Sequence, residues 1–387
     1  MTTVTILADN GASSGSAGLK TTGGNDGTLV LQTTTSGGTA TTAVYIDTSQ
    51  NVTTAAALSV TGALSVTGNT SMTGYLNAPN TFGFKNRLIN GAMAVYQRGG
   101  YSAAMAAGVS NYGAPDRWFV AGGSGTTTIT ATQVSSGLTG FQYATRLQRT
   151  AGQTNTGGLY LVQQIESNNL QDLQGQSVTV SFWARAGANY SATSNAFGTL
   201  CITGTGTDQA SWGGLSGSWT GWAANYSSSV TLTTSWQKFT YTCTVPSGAN
   251  ELQVVFNFNP TGTAGANDYF DITGVQLEKG STATSFDYRP YGTELALCQR
   301  YYSAGTYYNV LPVGASGQLR RDRIPLPVPM RATSLTFNDG NGHSGKVYRS
   351  GADQSAAVFN YSNIAVALNV TTGGSATGDD LFFNWFC

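Results

Sequence analysis

The chain carries very little charge. Charged residues make up 9% of its 387 residues, against roughly 25% in an ordinary soluble domain. The 18 Lys and Arg residues balance the 18 Asp and Glu residues. This pattern argues against a nucleic-acid partner, because such binding depends on clustered Lys and Arg facing phosphates. It disfavours an anionic lipid surface for the same reason, so Gly, Ser, Thr, Asn and Gln must supply most of the polar surface.

Other features are also scarce. No apolar run approaches the about 20 residues of a membrane-spanning helix, and the first residues do not read as a signal peptide. We therefore expect no membrane insertion and folding in a cytosol. The four cysteines are widely spaced without a CxxC pair, which predicts reduced, buried thiols and no zinc site. We expect no cofactor.

The residues of hydrolytic chemistry are sparse as well. The single histidine, His343, lies in a turn-like sequence, which argues against a histidine-dependent triad. A glycan-cleaving enzyme would need paired carboxylates along a groove. Asp268 and Asp271 are close in sequence, but positions three apart on a strand point to opposite faces. We predict no catalytic residues and no enzymatic activity.

A short repeat stands near the N-terminus. The hexad Ala-Leu-Ser-Val-Thr-Gly at 57–62 recurs at 63–68 and degenerates over 69–74. Each unit reads as a short strand with apolar residues at period two, and the units are too few to bury their own apolar face. Because other copies of the chain must then supply the neighbours, residues 1–80 are predicted to form an intertwined, homotrimeric β shaft. The residues expected to form the trimer are Leu58, Val60, Leu64, Val66 and Met72. A flexible low-complexity linker is the alternative.

Downstream of residue 81 the chain changes character. Aromatic and charged residues return, and short strands with one apolar face follow as far as residue 290. Val178, Val180 and Phe182 share one face, and Trp183 lies on the other. Two further apolar faces comprise Phe239, Tyr241, Cys243 and Val245, and Leu252, Val254, Phe256 and Phe258. This pattern predicts two stacked antiparallel sheets, a jelly-roll β-sandwich over 81–290.

The rest of the chain is predicted to hold one helix and a small β domain. Residues 291–302 have a helical pattern, with Thr293 as the expected N-cap and Gly305 beyond the end. Alternating prolines at 325, 327 and 329 restrict the next segment to an extended or edge strand. Residues 303–387 are expected to form a C-terminal β domain ending in the strand 381–386. The fold class predicted for the whole chain is all-β.

Five segments together resemble the distal part of tailed-bacteriophage tail fibres, over about residues 84–335. They are Asn86–Gly99 (NRLINGAMAVYQRG), Ala114–Phe119 (APDRWF), Val180–Arg185 (VSFWAR), Phe270–Gly280 (FDITGVQLEKG) and Pro290–Tyr302 (PYGTELALCQRYY). The resemblance implies a homotrimeric virion fibre, assembled in the host cytoplasm and located in the virion tail. Its middle domain would be similar to the jelly rolls of carbohydrate-binding modules and would mediate attachment to the host. Residues 1–80 resemble fibre shafts more loosely, which implies that they also attach to a tail or baseplate protein.

The resemblance bears on metal binding. Related modules often hold a structural calcium between an acidic residue after Asn-Gly and an Asp of the last strand. Here Asn90-Gly91 is followed by Ala92, Met93 and Ala94, so the first carboxylate is absent. Calcium requires six to eight oxygen ligands. No metal is therefore expected, with Asp271 the candidate ligand if calcium is bound after all.

Candidate sugar-binding residues follow from their aromatic character. Neutral sugars stack on aromatic faces, while amides and carboxylates bond their hydroxyls. The candidates are Trp212, Trp219, Trp222 and Tyr226 in a Gly- and Ser-rich stretch, and Trp183. They have alternative roles in covering the sandwich, contacting a neighbouring subunit or forming core. The predicted function is weak, multivalent adsorption to a host surface polysaccharide, with a depolymerase tailspike or a purely structural virion connector as alternatives.

Overall fold

The structure is a computed structural model that describes the backbone of residues 9–10, 17–18, 29–34, 40–49, 51–54, 84–311, 319–331, 336–338, 346–349, 352–362, 365–371 and 379–386. Side chains are described for 30–31, 42–49, 51–54, 84–304 and 326–331. The hexad repeat, with Leu58, Val60, Leu64, Val66 and Met72, lies outside the described residues, and so do His343 and Cys387. The chain divides into two compact units, Met1–Asn77 and Ala78–Cys387.

The first unit contains short antiparallel strands. Strands β1 (Asp9–Asn10) and β2 (Ala17–Gly18) pair, and β3 (Leu29–Thr34), β4 (Ala40–Ile46) and β5 (Val52–Thr54) form a three-stranded sheet. The Asp47 carboxylate closes the β4–β5 turn by accepting hydrogen bonds from the backbone N–H groups of Ser49 and Asn51 at 2.8 and 2.9 Å. The hydrogen bond from the Asn51 side chain, with these backbone bonds, lowers the pKa of Asp47.

The second unit begins with a β-sandwich of two six-stranded antiparallel sheets, as the sequence predicts. Sheet one has the order β15-β12-β17-β10-β9-β6, and sheet two has the order β14-β13-β16-β11-β8-β7. The strands are β6 (Tyr101–Ala106), β7 (Ser110–Asn111), β8 (Phe119–Gly122), β9 (Thr126–Leu138), β10 (Phe141–Arg149), β11 (Leu159–Ile165), β12 (Ser177–Ala186), β13 (Ala196–Gly204), β14 (Ala223–Thr231), β15 (Gln237–Thr244), β16 (Glu251–Phe258) and β17 (Tyr269–Lys279). The chain crosses between the sheets after β10, β11 and β12 and again after β14, β15 and β16, so sequence neighbours are often in opposite sheets.

The core lies between the two sheets and is rich in aromatic rings. Phe182 of sheet one meets Phe256 of sheet two with ring centroids 4.8 Å apart, and Phe197 meets Phe270 at 4.7 Å. Val178, Val180, Leu252, Val254 and Phe258 are also fully buried, which confirms the apolar faces predicted for β12 and β16. Cys201, Cys243 and Cys298 are free and buried, as predicted. Desolvation raises the pKa of the Cys298 thiol, which therefore stays neutral.

The fibre-like segment Asn86–Gly99 holds the ends of the sandwich together. The Asn90 side chain donates to the carbonyls of Val95 and Asp116 at 2.8 and 3.0 Å and accepts from the N–H groups of Ala94 and Val95. Its backbone N–H donates to the Glu294 carboxylate. Asn90 has a positive φ of 59°, a conformation that Asn tolerates better than most residues. This motif therefore has a structural role in the part of the chain described.

The helix α2 (Tyr291–Gln299) follows the sandwich. It begins after Pro290, whose carbonyl accepts from Thr293 and Glu294. Thr293 is therefore inside the first turn, and the prediction of Thr293 as N-cap is wrong. The helix ends at Gln299, three residues before the predicted end at 302, although the N–H groups of Tyr301 and Tyr302 still donate to the Cys298 carbonyl at 2.9 and 3.1 Å. The shorter helices are α1 (Ser211–Ser216) and 3-10 turns at Ser167–Asn169, Gln171–Leu173 and Thr193–Asn195.

The described C-terminal strands form one seven-stranded antiparallel sheet. Six have the order β18-β24-β21-β22-β23-β19, and β20 also pairs with β24. They are β18 (Ala304–Leu311), β19 (Leu319–Pro325), β20 (Thr336–Asn338), β21 (Lys346–Arg349), β22 (Ala352–Ser362), β23 (Ala365–Thr371) and β24 (Asp379–Phe386). The edge strand β19 ends at Pro325, consistent with the limits that proline sets on pairing. Within the described residues, no helix is both long and apolar enough to cross a membrane.

Candidate functional site

An open groove of about 550 Å³ crosses the outer face of sheet two. Its floor comes from β11, β13, β14 and β16, and its walls come from the loops before β13 and after β16. The lining residues are Tyr160, Ala192, Thr193, Ala196, Gly198, Leu200, Ser227, Ser228, Ser229, Asn257, Asn259, Pro260 and Thr261. None of them is charged. The groove is within the size range of roughly 300–1,000 Å³ that is common for ligand sites.

Strand register brings the central floor residues into one row. Asn257 of β16 is paired with Gly198 of β13 on one side and with Tyr160 of β11 on the other, and Gly198 is paired with Ser229 of β14. Side chains of directly paired residues point to the same face of a sheet. The row Ser229–Gly198–Asn257–Tyr160, here called the groove row, therefore presents hydroxyl, amide and phenol groups together.

The missing side chain at Gly198 makes room for the Asn257 amide. A Cβ at Gly198 would lie 1.7 Å from Asn257 Oδ1 and 2.6 Å from its Cγ. The Asn257 side chain thus lies flat over the glycine, and any larger residue would displace it. Glycine is required here by close approach, since no positive φ is involved.

A second glycine brings Tyr160 and Asn259 together. A Cβ at Gly158 would lie 2.7 Å from Asn259 Oδ1 and 3.1 Å from Tyr160 Oη. Burial raises the pKa of the Tyr160 hydroxyl, so the phenol is neutral at physiological pH. Among the described residues, the side-chain polar atoms of Tyr160, Asn257 and Asn259 form no hydrogen bond with the protein, and none of them is sealed from solvent. These donors and acceptors are free for a ligand.

A buried ion pair fixes the walls of the groove. Arg149 and Asp268 are fully buried, with Nη1 2.8 Å from Oδ2. The Asp268 carboxylate also accepts from Ser191 N and Oγ, both at 2.9 Å, on the loop before β13. Arg149 Nη2 donates to the carbonyl of Gly262 at 3.1 Å, on the loop after β16. One ion pair therefore holds both walls in place.

The predicted tryptophans at 212, 219 and 222 lie beside the groove row rather than in it. Residues 205–222, here called the covering segment, pack on the apolar half of the outer face of sheet two. Trp219 is 4% exposed and clusters with Phe119, Val162 and Val255, and its Nε1 donates to the Ala210 carbonyl at 3.0 Å. It therefore has no open ring face, contrary to the sequence-based expectation.

The other two tryptophans are more accessible. Trp212 is half-buried against the same cluster. Trp222 is 42% exposed, and its Nε1 donates to the Gly214 carbonyl at 2.7 Å. Covering the sandwich, the alternative role considered from the sequence, is the role that this packing supports.

Tyr226 and Trp183 lie in two further places. Tyr226 points to the interior and stacks on Tyr241 with centroids 4.2 Å apart and planes 9° apart. That stack occupies one of its ring faces. Trp183 is half-buried on the outer face of sheet one, next to Gly274. The structure thus keeps Trp212 and Trp219 in one cluster, with Trp222 in the same segment, and separates Tyr226 and Trp183 from them.

The carboxylates at 268 and 271 are both engaged by arginine. Asp271 is fully buried and accepts from Arg146 Nε and Nη2 at 2.8 and 3.0 Å and from Arg185 Nε at 2.9 Å. Two guanidinium groups thus occupy the oxygens that a calcium ion would need, and the residues here do not fit that ion. In the described part of the chain, no group of three or more His, Cys, Asp or Glu side chains could hold a metal.

The groove row was not among the residues predicted from the sequence. Tyr160 stands in the apolar-looking run Leu159–Val162, and Asn257 alternates with the phenylalanines of β16, so each reads as an ordinary strand residue. The one sequence signal is that β16 carries amides at 253 and 257 on the face opposite its core residues. Only the register that pairs β11, β13 and β16 shows that these positions meet.

Comparison with known proteins gives similarity in structure alone. No protein family and no curated protein matches the sequence. A family 4 carbohydrate-binding module is 19% identical, with 49% of this chain and 98% of that one covered and a TM-score of 0.29. A family 61 module in complex with β-1,4-galactotriose is 14% identical, with 50% and 99% covered and a TM-score of 0.29. The enzymatically active domain of tailspike protein 4 of bacteriophage CBA120 is 13% identical, with 51% and 22% covered and a TM-score of 0.30.

Proposed function

We propose that this protein binds a neutral region of a polysaccharide in the groove on the outer face of sheet two. The observation that carries the proposal is the uncharged, glycine-floored groove with unpaired amide and hydroxyl groups beside Tyr160. Sugar hydroxyls need such donors and acceptors, and an aromatic side chain packs against the apolar face of a sugar ring.

We further propose the biological setting of a tail fibre. The five fibre-like segments support a homotrimer that is bound to a tail or baseplate protein in the virion and adsorbs to a host surface glycan. A single groove with millimolar affinity supplies only about −4 kcal/mol. Linked copies raise avidity by ~10² to 10⁴ without new contacts, so weak sites are compatible with firm attachment.

Binding without cleavage is the proposed activity. The groove lining contains no carboxylate, whereas glycoside hydrolysis normally uses two. Purified protein would be incubated with host surface polysaccharide, and both retention and released oligosaccharide would be measured. Retention with no release is expected. Release would favour a depolymerase, and absence of retention would favour the structural connector.

A substitution at Gly198 tests whether the groove is the binding site. Gly198→Ala places a methyl group where the Asn257 amide now lies, so weaker retention of the polysaccharide is expected. Gly248→Ala is the matched control, because a Cβ there would meet no atom within 4 Å. Equal retention by both variants would contradict the groove as the site.

A further inference from the structure

A second pocket in the same unit is lined by arginine and tyrosine. It has a volume of about 180 Å³ and is formed by Arg98, Tyr112, Arg117, Tyr301, Tyr302 and Arg331. Arg98 and Arg117 come from the segments 86–99 and 114–119, and Tyr112 follows β7. Tyr301 and Tyr302 follow α2, and Arg331 lies in the stretch after β19. The volume is below the roughly 300–1,000 Å³ of larger ligand sites, so it suits one small group or a single sugar ring.

Two arginines of this pocket lack carboxylate partners. Among the arginines whose side chains are described, Arg98 and Arg117 alone form no ion pair; the other seven each contact Asp or Glu. Arg117 is only 8% exposed. A buried cation without a counter-ion is costly. Both unpaired charges are in one cavity, so an anion there would stabilise them together.

The guanidinium groups are held by stacking, which leaves their edges free. The Arg98 guanidinium lies 3.7 Å from the ring centroid of Tyr302, and that of Arg117 lies 3.5 Å from the centroid of Tyr301. Each also donates one bond to a carbonyl: Arg98 Nη1 to Tyr112 at 3.2 Å, and Arg117 Nη2 to Gln164 at 2.6 Å. Stacked arginines of fixed orientation recognise planar anions through two parallel N–H groups.

Several donors remain without a partner. Arg98 Nε and Nη2 and Arg117 Nη1 form no hydrogen bond and are not sealed from solvent, while Arg117 Nε is buried without any acceptor. The nearby carboxylates are already engaged. Asp116 accepts from Gln97 N at 3.0 Å, and Glu166 and Asp208 accept from Arg331 at 3.1 and 3.3 Å. Glu166 and Asp208 line a neighbouring cavity with Arg117 and Arg331, whereas Arg98 is influenced by the charge of Asp116 without forming an ion pair with it.

We propose that this pocket binds the carboxylate of an acidic sugar, such as a uronic acid residue of a surface polysaccharide. The assignment rests on the proposed function, because it takes a glycan as the source of the carboxylate. A carboxylate matches the planar edges of the two guanidinium groups, and the tyrosine rings provide apolar contact for the sugar ring. The site differs from the groove in residues, charge and ligand class.

The test is titration of the full chain with glucuronic acid, glucose, acetate and inorganic phosphate, followed by calorimetry or ligand-observed NMR. Glucuronic acid is expected to bind in the millimolar range, more tightly than glucose or acetate. Arg98→Gln should weaken this binding at least about tenfold. Arg98→Lys should weaken it less, because lysine keeps the positive charge although it lacks the two parallel N–H groups of the guanidinium. Arg87→Gln, a variant of a half-buried arginine that is paired with Asp172 and does not line this pocket, is the control and should bind normally.

Each contrary result has a distinct meaning. No glucuronic acid binding by the unchanged protein would overturn the proposal, and so would normal binding by Arg98→Gln of unchanged melting temperature. Equal affinity for acetate or phosphate would overturn the sugar assignment. Loss of glucuronic acid binding in Gly198→Ala but not in Arg98→Gln would show that the ligand binds in the groove. Neutral polysaccharide binding should survive Arg98→Gln, so failure of the groove and failure of this pocket are separately visible.

Discussion

The two halves of the outer face of sheet two use the same strands for opposite purposes. The groove row of Ser229, Gly198, Asn257 and Tyr160 lines the open groove, with Ser229 exposed and Asn257 9% exposed. Two residues along the same strands, the next paired row begins with Ser227 and Leu200, which still line the groove, and continues with Val255, Val162 and Phe119, which pack in the apolar cluster with Trp219 of the covering segment. On β16 and β11, a shift of two residues thus separates the open surface from the covered one. The difference shows that the identity of the residue at each paired position decides whether that part of the face is covered or open.

The largest expected effect is a loss of folding stability caused by a substitution in the covered half of the face. Trp219→Ala removes a buried indole and its hydrogen bond to Ala210, and should lower the free energy of unfolding by about 3–5 kcal/mol. Thermal and urea unfolding measure the change. A loss close to that of the exposed Trp222→Ala would show that the covering segment does not form part of the packed structure.

The next largest expected effect is a loss of binding affinity caused by a substitution in the open half of the face. Gly198→Ala should weaken polysaccharide binding about tenfold, equivalent to about 1.4 kcal/mol, because the Asn257 amide is displaced. Isothermal titration with neutral oligosaccharides measures it, alongside Gly248→Ala. A fall in stability as large as that of Trp219→Ala would contradict the view that this half serves binding more than folding.

A smaller effect is expected at Tyr160. Tyr160→Phe keeps the ring and removes one hydroxyl, so the loss should be about 0.5–1.5 kcal/mol of binding free energy. Because the Tyr160 hydroxyl bonds no described protein group, the melting temperature should not fall. A marked drop in melting temperature with unchanged binding would make Tyr160 a folding residue.

The smallest effect is expected at Trp222. Trp222→Ala should change groove binding less than twofold, a difference below about 0.4 kcal/mol, since its ring lies over the covering segment. Loss of polysaccharide binding in this variant would reverse the comparison and restore the tryptophan cluster as the sugar site.

The sequence predicts the sandwich well because alternation reports burial directly. Val178, Val180 and Phe182 alternate with residues of different character, and that alternation alone predicts that these three side chains are buried in the core. The site is less predictable for a physical reason. Trp219 looks exposed among glycines and serines, yet those glycines let the covering segment pack closely: a Cβ at Gly213 would lie 2.6 Å from Trp219 Cδ1. Asn257 and Tyr160 are 97 residues apart in the sequence. Only the pairing of β11 with β16 brings them into one site.

The hydrogen bonds that join the two ends of the sandwich have a mechanical consequence. Arg289 donates to the Asn86 carbonyl and to that of Leu88, and Asn86 N donates to the Asp287 carboxylate at 3.2 Å. The side chains of Asp287 and Arg289, on the segment leading out of the sandwich, therefore bind the backbone of the segment leading into it. A pulling force applied to the two flanking segments would act on these hydrogen bonds first. The sheets would then carry little of the force, and we expect the groove to keep its shape when the chain is stretched.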